Sequence, residues 1–369
     1  MKYSRREALG LAGGAALALV ESGCLRGRPQ ARIFPSRTAL PKAFEVALPI
    51  LPVLKPSGSD ATSDCYEMAV RPASASILPG LTTPIWGYNG TFPGPVIEAR
   101  RGRKVSLRLK NELPVPIVNH LHGGRTPPES DGYPTDLVMP KGEFPKPRMH
   151  DPRARVVVEE REYIYPNEQR GATLWYHDHR MDFTAAQVWR GLAGFYILRD
   201  DEEAGVPLPR GEREIALLIC DRSFGADGSL IYPAFDPSLR DIPGIPMDYM
   251  GGVLGDVILV NGAPWPRLEV ANTRYRFRIL NASNARRYEL ALEPAAGAAP
   301  FVQIGSDGGL LAAPVAQRSI VIAPAERFDV VIDFSRYRVG SQVTLLNKAG
   351  EGPQGQVMRF DVVRQERDE

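Results

Sequence analysis

Three cysteines in 369 residues are too few for a disulfide-stapled scaffold. Neither sign of charge is in excess, since Lys+Arg 45 stands against Asp+Glu 43 for a net of +2. That balance gives no electrostatic case for a nucleic-acid partner. A membrane-spanning run is missing as well. The apolar stretch Ala8–Val20 falls short of the ~20 residues a helix needs to cross about 30 Å of hydrocarbon. Histidine is also scarce, five in the whole chain, so the positions of those five carry information.

What is plentiful is punctuation. Gly 35 and Pro 34 together stand well above the roughly 12% of average usage. Such a chain suits many short strands and turns better than long helices. A hydrophobic content of 43% excludes global disorder. The length favours two domains, each able to bury a core. Residues 25–60 are rich in Pro and Ser and read as a linker with an extended arm. Strand-like runs follow at Asp64–Ala73, Lys104–Lys110, Ile117–His122, Arg155–Val158, Thr173–His177 and Gly194–Leu198. A charged break, Asp200–Arg213, carries Pro207 and Pro209 and marks a domain boundary. Strand-like runs then resume from Glu214–Ile219 to Met358–Val363. Their spacing predicts an all-β protein of two β-sandwiches, over residues 61–201 and 213–365.

The start is an address. Arg5 and Arg6 follow Ser4 and precede the short apolar run and the small residues Ser22 and Gly23. This resembles a twin-arginine export signal over residues 1–24. Export to the periplasm or cell surface is the expectation. Ala8 stands where that signal commonly has an aromatic residue. Cys24 is a candidate lipid anchor, although Glu21 occupies the place where an apolar residue is usual. Cys65 and Cys220 remain, either as a pair or as two thiols.

Four of the five histidines form two His-x-His pairs, His120 with His122 and His177 with His179. On a strand, residues i and i+2 share a face. Each pair offers two imidazoles side by side, while Leu121 and Asp178 point the other way. Two such strands facing each other would converge four imidazoles. Copper and zinc both suit that donor set. The plain alternative is four hydrogen-bonded histidines between sheets. His150 lies in a loop rich in Pro and Arg and reads as a surface residue.

At this point the residues carry a resemblance. The stretches Thr91-Phe92-Pro93-Gly94-Pro95, His120-Leu121-His122-Gly123-Gly124, Ser130-Asp131-Gly132-Tyr133-Pro134 and Leu174-Trp175-Tyr176-His177-Asp178-His179 resemble bacterial multicopper oxidases. The spore-coat laccase and bilirubin-oxidase-like branch is the nearest in pattern. Gly191–Tyr196, Leu259–Gly262, Tyr275–Ala282, Ile304–Gly309 and Ala323–Arg327 continue the likeness in family order. The resemblance implies two cupredoxin-like Greek-key domains. It implies that a type 1 copper takes single electrons from a phenol, dye or metal ion. A trinuclear copper cluster then reduces dioxygen to water. On matching positions His120 would ligate the type 2 copper, and His122, His177 and His179 the type 3 pair. Asp131 resembles an acidic residue that helps proton delivery; a turn-forming Asp before Gly132 is the plainer reading. Trp175 and Tyr176 read as packing around the site.

The family's remaining ligands, a His-x-x-His-x-His and a His-Cys-His motif, belong to a third domain. No histidine follows His179 here, so Cys220 has no histidine in its half. A type 1 site needs two His and one Cys. The expectation is half of a trinuclear site, no type 1 copper and no third domain. Three readings follow. The first is a truncated or split laccase-like oxidase, inactive alone, with the third cupredoxin domain on a separate chain. The second is a non-enzymatic exported copper-binding module. The third is a protein-interaction scaffold.

Overall fold

The computed structural model describes residues 31–142, 153–233 and 251–366. The signal-like start, Cys24 and His150 lie outside the described residues. No helix among the described residues is long and apolar enough to cross a membrane.

Residues 63–199 build two sheets. One orders Glu160–Tyr165, Lys104–Asn111, Ser63–Ala75 and Gly58–Ser59, with Thr83–Tyr88 also paired to Ser63–Ala75. The other orders Ile97–Arg100, Ala193–Arg199, Ala172–Asp178 and Asn119–His122. Their inner faces close one core through Val70, Leu107, Tyr163, Leu121, Leu174, Tyr176 and Tyr196. Residues 214–364 build a seven-stranded and a five-stranded sheet around a second core.

The two cores touch through a shared sheet. Along Ala193–Arg199, Tyr196 and Leu198 face their own core while Phe195 and Ile197 join the second. Trp175 does the same on Ala172–Asp178. These strands are buried on both faces, which is why they read as continuous apolar runs rather than alternating ones.

The arm is no free linker. Arg32–Phe34 pairs in parallel with Val253–Gly255 of the second domain. Farther on, Ala47 bridges Arg267, and Val53 bridges Val96 of the first domain. The boundary segment is likewise built in. Asp200 caps the short helix Asp201–Ala204 by accepting from the Glu203 N–H. Glu203 then turns inward and accepts from Arg199, Arg276 and Arg278, while Glu214 accepts from Arg199 and Arg278. Arg276 also grips Asp329 with two nitrogens. This network lines a cavity of about 560 Å³ between the arm and both domains. A second contact joins the domains at the helix Thr184–Arg190. Its Val188 and Trp189 carbonyls accept from the buried Arg222 guanidinium, a cation at the negative end of a helix. Cys65 is exposed and Cys220 buried, and both are free thiols.

Candidate metal centre

The two histidine strands are neighbours in one sheet, not partners across two. They run antiparallel, with His177 opposite His120 and Trp175 opposite His122. Directly opposed residues on an antiparallel pair share a face, so adjacency converges the rings as well as opposition would. Leu121 and Asp178 point into the core, as expected. Asn119–His122 is the last strand of its sheet, and the Asp131–Gly132 loop lies against it.

Nitrogen atoms of His120, His122 and His177 all lie within 4.8 Å of one another. The His179 ring centroid is 5.0 Å from that of His120 and 5.5 Å from that of His177. His179 follows the strand end and is held there by its N–H, which donates to the Val118 carbonyl at 2.9 Å.

Hydrogen bonds decide which nitrogen each ring offers. His120 Nδ1 donates to the Asp131 carbonyl at 2.5 Å, and His177 Nδ1 to the Asp178 carbonyl at 2.8 Å. In both rings Nε2 is therefore the unprotonated nitrogen, the usual way a backbone carbonyl orients a metal-ligating histidine. His122 is turned round, with its Nδ1 3.4 Å from His177 Nε2. His179 Nδ1 is buried without a protein partner.

The rings of His120, His122 and His177 are also held toward the neutral form. Burial holds His177 well below the ordinary histidine range. Burial, then the Arg327 guanidinium, lowers His122 to about 4. Burial lowers His120 too, against the opposing pull of the Asp131 carbonyl and carboxylate. Neutral imidazole is the ligating form. The donor set fits a copper or zinc ion.

Asp131 sits at the rim. Its carboxylate is 3.7 Å from His120 Nδ1, is part-exposed, and accepts from Thr126 Oγ1 at 3.1 Å. The next residue, Gly132, has φ +79°. A Cβ there would lie 2.1 Å from the Asn119 carbonyl oxygen. Only glycine lets this loop lie on the histidine strand and bring the Asp131 carbonyl to His120.

Three further residues shape the site. The Trp175 ring stacks on His177 at 4.1 Å between centroids and lies 5.2 Å from His122. Arg327 reaches across from the second domain, donates to the Thr173 carbonyl at 2.9 Å and packs against Gly123. Asp178, fully buried, accepts from the Val118 and Arg180 N–H groups. Burial lifts its carboxyl to about 6, against the pull of those two amides. One signal for Asp178 was available in the sequence. An Asp between two residues that share the opposite face must enter the core, where a carboxylate needs partners.

Comparison with known proteins agrees with this geometry. The multicopper oxidase family model matches residues 69–150 and 156–203. The chain is 41% identical over 336 residues to the laccase of Bacillus subtilis (strain 168), covering 84% of this chain and 62% of that one. It is 34% identical to the bilirubin oxidase of Albifimbria verrucaria, covering 83% of this chain and 50% of that one. The chain belongs to the multicopper oxidase family. Its two sandwiches are cupredoxin-like domains. They superpose on the crystal structure of laccase from Pediococcus acidilactici with a TM-score of 0.75 and 32% identity, over 91% of this chain and 65% of that one. The chain thus spans less than two thirds of these relatives, and membership implies copper as the metal.

Proposed function

We propose that this chain forms one wall of the trinuclear copper centre of a laccase-like oxidase. In that reading His120 holds the type 2 copper and His122, His177 and His179 the type 3 pair. The observation that carries it is the convergence of three neutral imidazoles, ligand nitrogens within 4.8 Å, with the His179 ring 5.0 Å from His120. Bound copper would supply one-electron chemistry, coupling oxidation of a phenol, dye or metal ion to reduction of dioxygen to water. The protein's part is to present lone pairs. His120 and His177 hold a proton on Nδ1, so Nε2 faces the metal. Asp131, solvent-facing beside His120, is placed to relay protons.

The opposite wall comes from a further cupredoxin domain, in a longer protein or on a separate chain. Two features support this. The strand bearing His120 and His122 is the last of its sheet, and no histidine lies beyond His179 to complete the shell. Cys220 does not serve as a type 1 ligand. It is buried in the second core, where burial pushes its thiol up to about 11, and no histidine stands on that half of the chain. We further propose export by the twin-arginine route, with Cys24 a candidate anchor.

Copper per chain, by elemental analysis of the copper-loaded protein, tests the reading. At least one tightly held copper, no intense blue thiolate-to-copper band and no laccase turnover without the complementing domain is the expected result. No copper at all would overturn the half-site. The convergence of His120, His122 and His177 within this chain alone also favours a second reading as a copper-holding module. Laccase turnover on adding a complementing cupredoxin domain separates the two.

A further inference from the structure

Asp178 lies between two of the ring-bearing residues yet faces away from them. It is fully buried. Its Oδ2 accepts from the Val118 N–H at 2.9 Å and its Oδ1 from the Arg180 N–H at 3.0 Å. Its own carbonyl accepts the His177 Nδ1–H at 2.8 Å. Val118 in turn accepts from the His179 N–H. One residue therefore touches the lead-in to the first histidine strand, the turn after the second, and one ring directly.

We propose that Asp178 is the positioning residue of the centre: its two carboxylate oxygens clamp Val118 and Arg180, fixing the spacing of His120 against His177 and His179 and the tautomer of His177. This rests on the reading of the four histidines as copper ligands. The geometry requires two acceptors. The two amides belong to different strands' ends and both point N–H at the same carboxylate. A carboxylate satisfies both; an amide side chain presents one acceptor and turns NH₂ toward the other donor. The resulting clash moves one strand end relative to the other. Residues that hold ligands in place typically change metal affinity by 10–100-fold when lost.

The test compares Asp178→Asn with Asn281→Ala. Asn281 is an equally buried side chain in the second domain that also makes three backbone bonds, to Arg286, Ile322 and Ser283, but none near the histidines. Two readouts are taken. The first is the imidazole tautomer pattern of the metal-free protein, by long-range ¹H–¹⁵N correlation. The second is Cu(II) affinity by chelator competition. Wild type and Asn281→Ala should carry Nδ1–H on His120 and His177. Asp178→Asn should show mixed tautomers at one or both and bind Cu(II) at least tenfold more weakly. Unchanged rings in Asp178→Asn overturn the proposal, as does an equal loss of affinity in both variants. If wild type binds no Cu(II), the copper reading falls and the ring pattern alone decides the role of Asp178. Should Asp178→Asn not fold, Asp178→Ser, which keeps a small acceptor in place, is judged by the same two readouts.

Discussion

Replacing Glu203 by Gln should destabilise this protein by about 2–3 kcal/mol. The Glu203 Oε1 accepts from Arg199 at 3.0 Å and from Arg276 and Arg278 at 2.7 Å each. The Arg276 and Arg278 side chains are 1% exposed, so water from the adjoining cavity replaces the lost partner only in part. Burial alone would push the Glu203 carboxyl up; Arg278, Arg276 and Arg199 outweigh it and hold it at about 2 against an ordinary 4.5. At ~1.4 kcal/mol per pH unit this is about 3 kcal/mol, and solvent reaching the adjoining cavity screens part of it. Gln keeps the size and one acceptor but removes the negative charge that three guanidiniums share. Because a lowered acid binds fewer protons folded than unfolded, the stabilisation is complete above pH 4.5 and fades as pH falls toward 2. Urea unfolding at pH 7 and pH 3.5 measures both parts. Wild type should exceed Glu203→Gln by the stated amount at pH 7, and the gap should narrow at pH 3.5. Arg199 belongs to the first domain and Arg276 and Arg278 to the second. Calorimetry of the variant should therefore show the two domains melting less cooperatively. A gap under about 0.5 kcal/mol, the scatter of ordinary surface substitutions, or one that ignores pH, would refute the reasoning.

The remaining predictions concern the site. The double variant His122→Ala, His179→Ala should lose most copper uptake by elemental analysis; unchanged copper content would count against these ligands. His122 titrates near 4 folded against 6.5 in its ordinary state, so the unfolded chain binds more protons between those values. The stability of metal-free wild type relative to His122→Asn should therefore fall as pH drops from 6.5 to 4, read by urea unfolding; a relative stability that rises instead would reverse the assigned sign. Gly132→Ala should lower stability by about 2 kcal/mol or more, from positive-φ strain plus overlap with Asn119. It should also weaken Cu(II) binding, since the Asp131 carbonyl leaves His120; Cu(II) titration beside thermal melts checks both.

The strands that alternate, or that run apolar between turns, were legible. Lys104–Asn111, Arg274–Asn281 and Ala172–Asp178 all form where their patterns place them. Those that break a rule were not. Thr83–Tyr88 contains Pro84 and Gly87 but pairs only with Ser63–Ala75, so an edge position tolerates both. Gly309–Gln317 holds Pro314 on another edge. Glu160–Tyr165 opens on three charged residues, because Glu160 and Glu162 face solvent while the buried Arg161 pairs with Asp136. The helix Thr184–Arg190 is two turns long, too short to show a helical period. At the site, the shared face of each His-x-His pair was legible because strand periodicity is local. The contributions of Arg327 and Gly132 depend on contacts across more than a hundred residues and across a loop respectively, which no local pattern encodes. That the two histidine strands are neighbours in one sheet was not legible for the same reason: spacing fixes the face of a strand, not its neighbour.

Those non-local contacts explain how the histidine cluster keeps its shape. Buried imidazoles lose hydration before any metal arrives, and that loss must be balanced elsewhere. The sheet that carries them is pinned on both faces, by its own core through Tyr176 and by the second domain through Trp175. Arg327 ties the second domain to the Thr173 carbonyl, on the same strand as His177 and Trp175. The second domain, with no metal ligand of its own in this reading, thus acts as a buttress. Its loss should release the histidine strands even though every proposed ligand remains, and weaker Cu(II) binding by Arg327→Ala would register that release without touching a ligand.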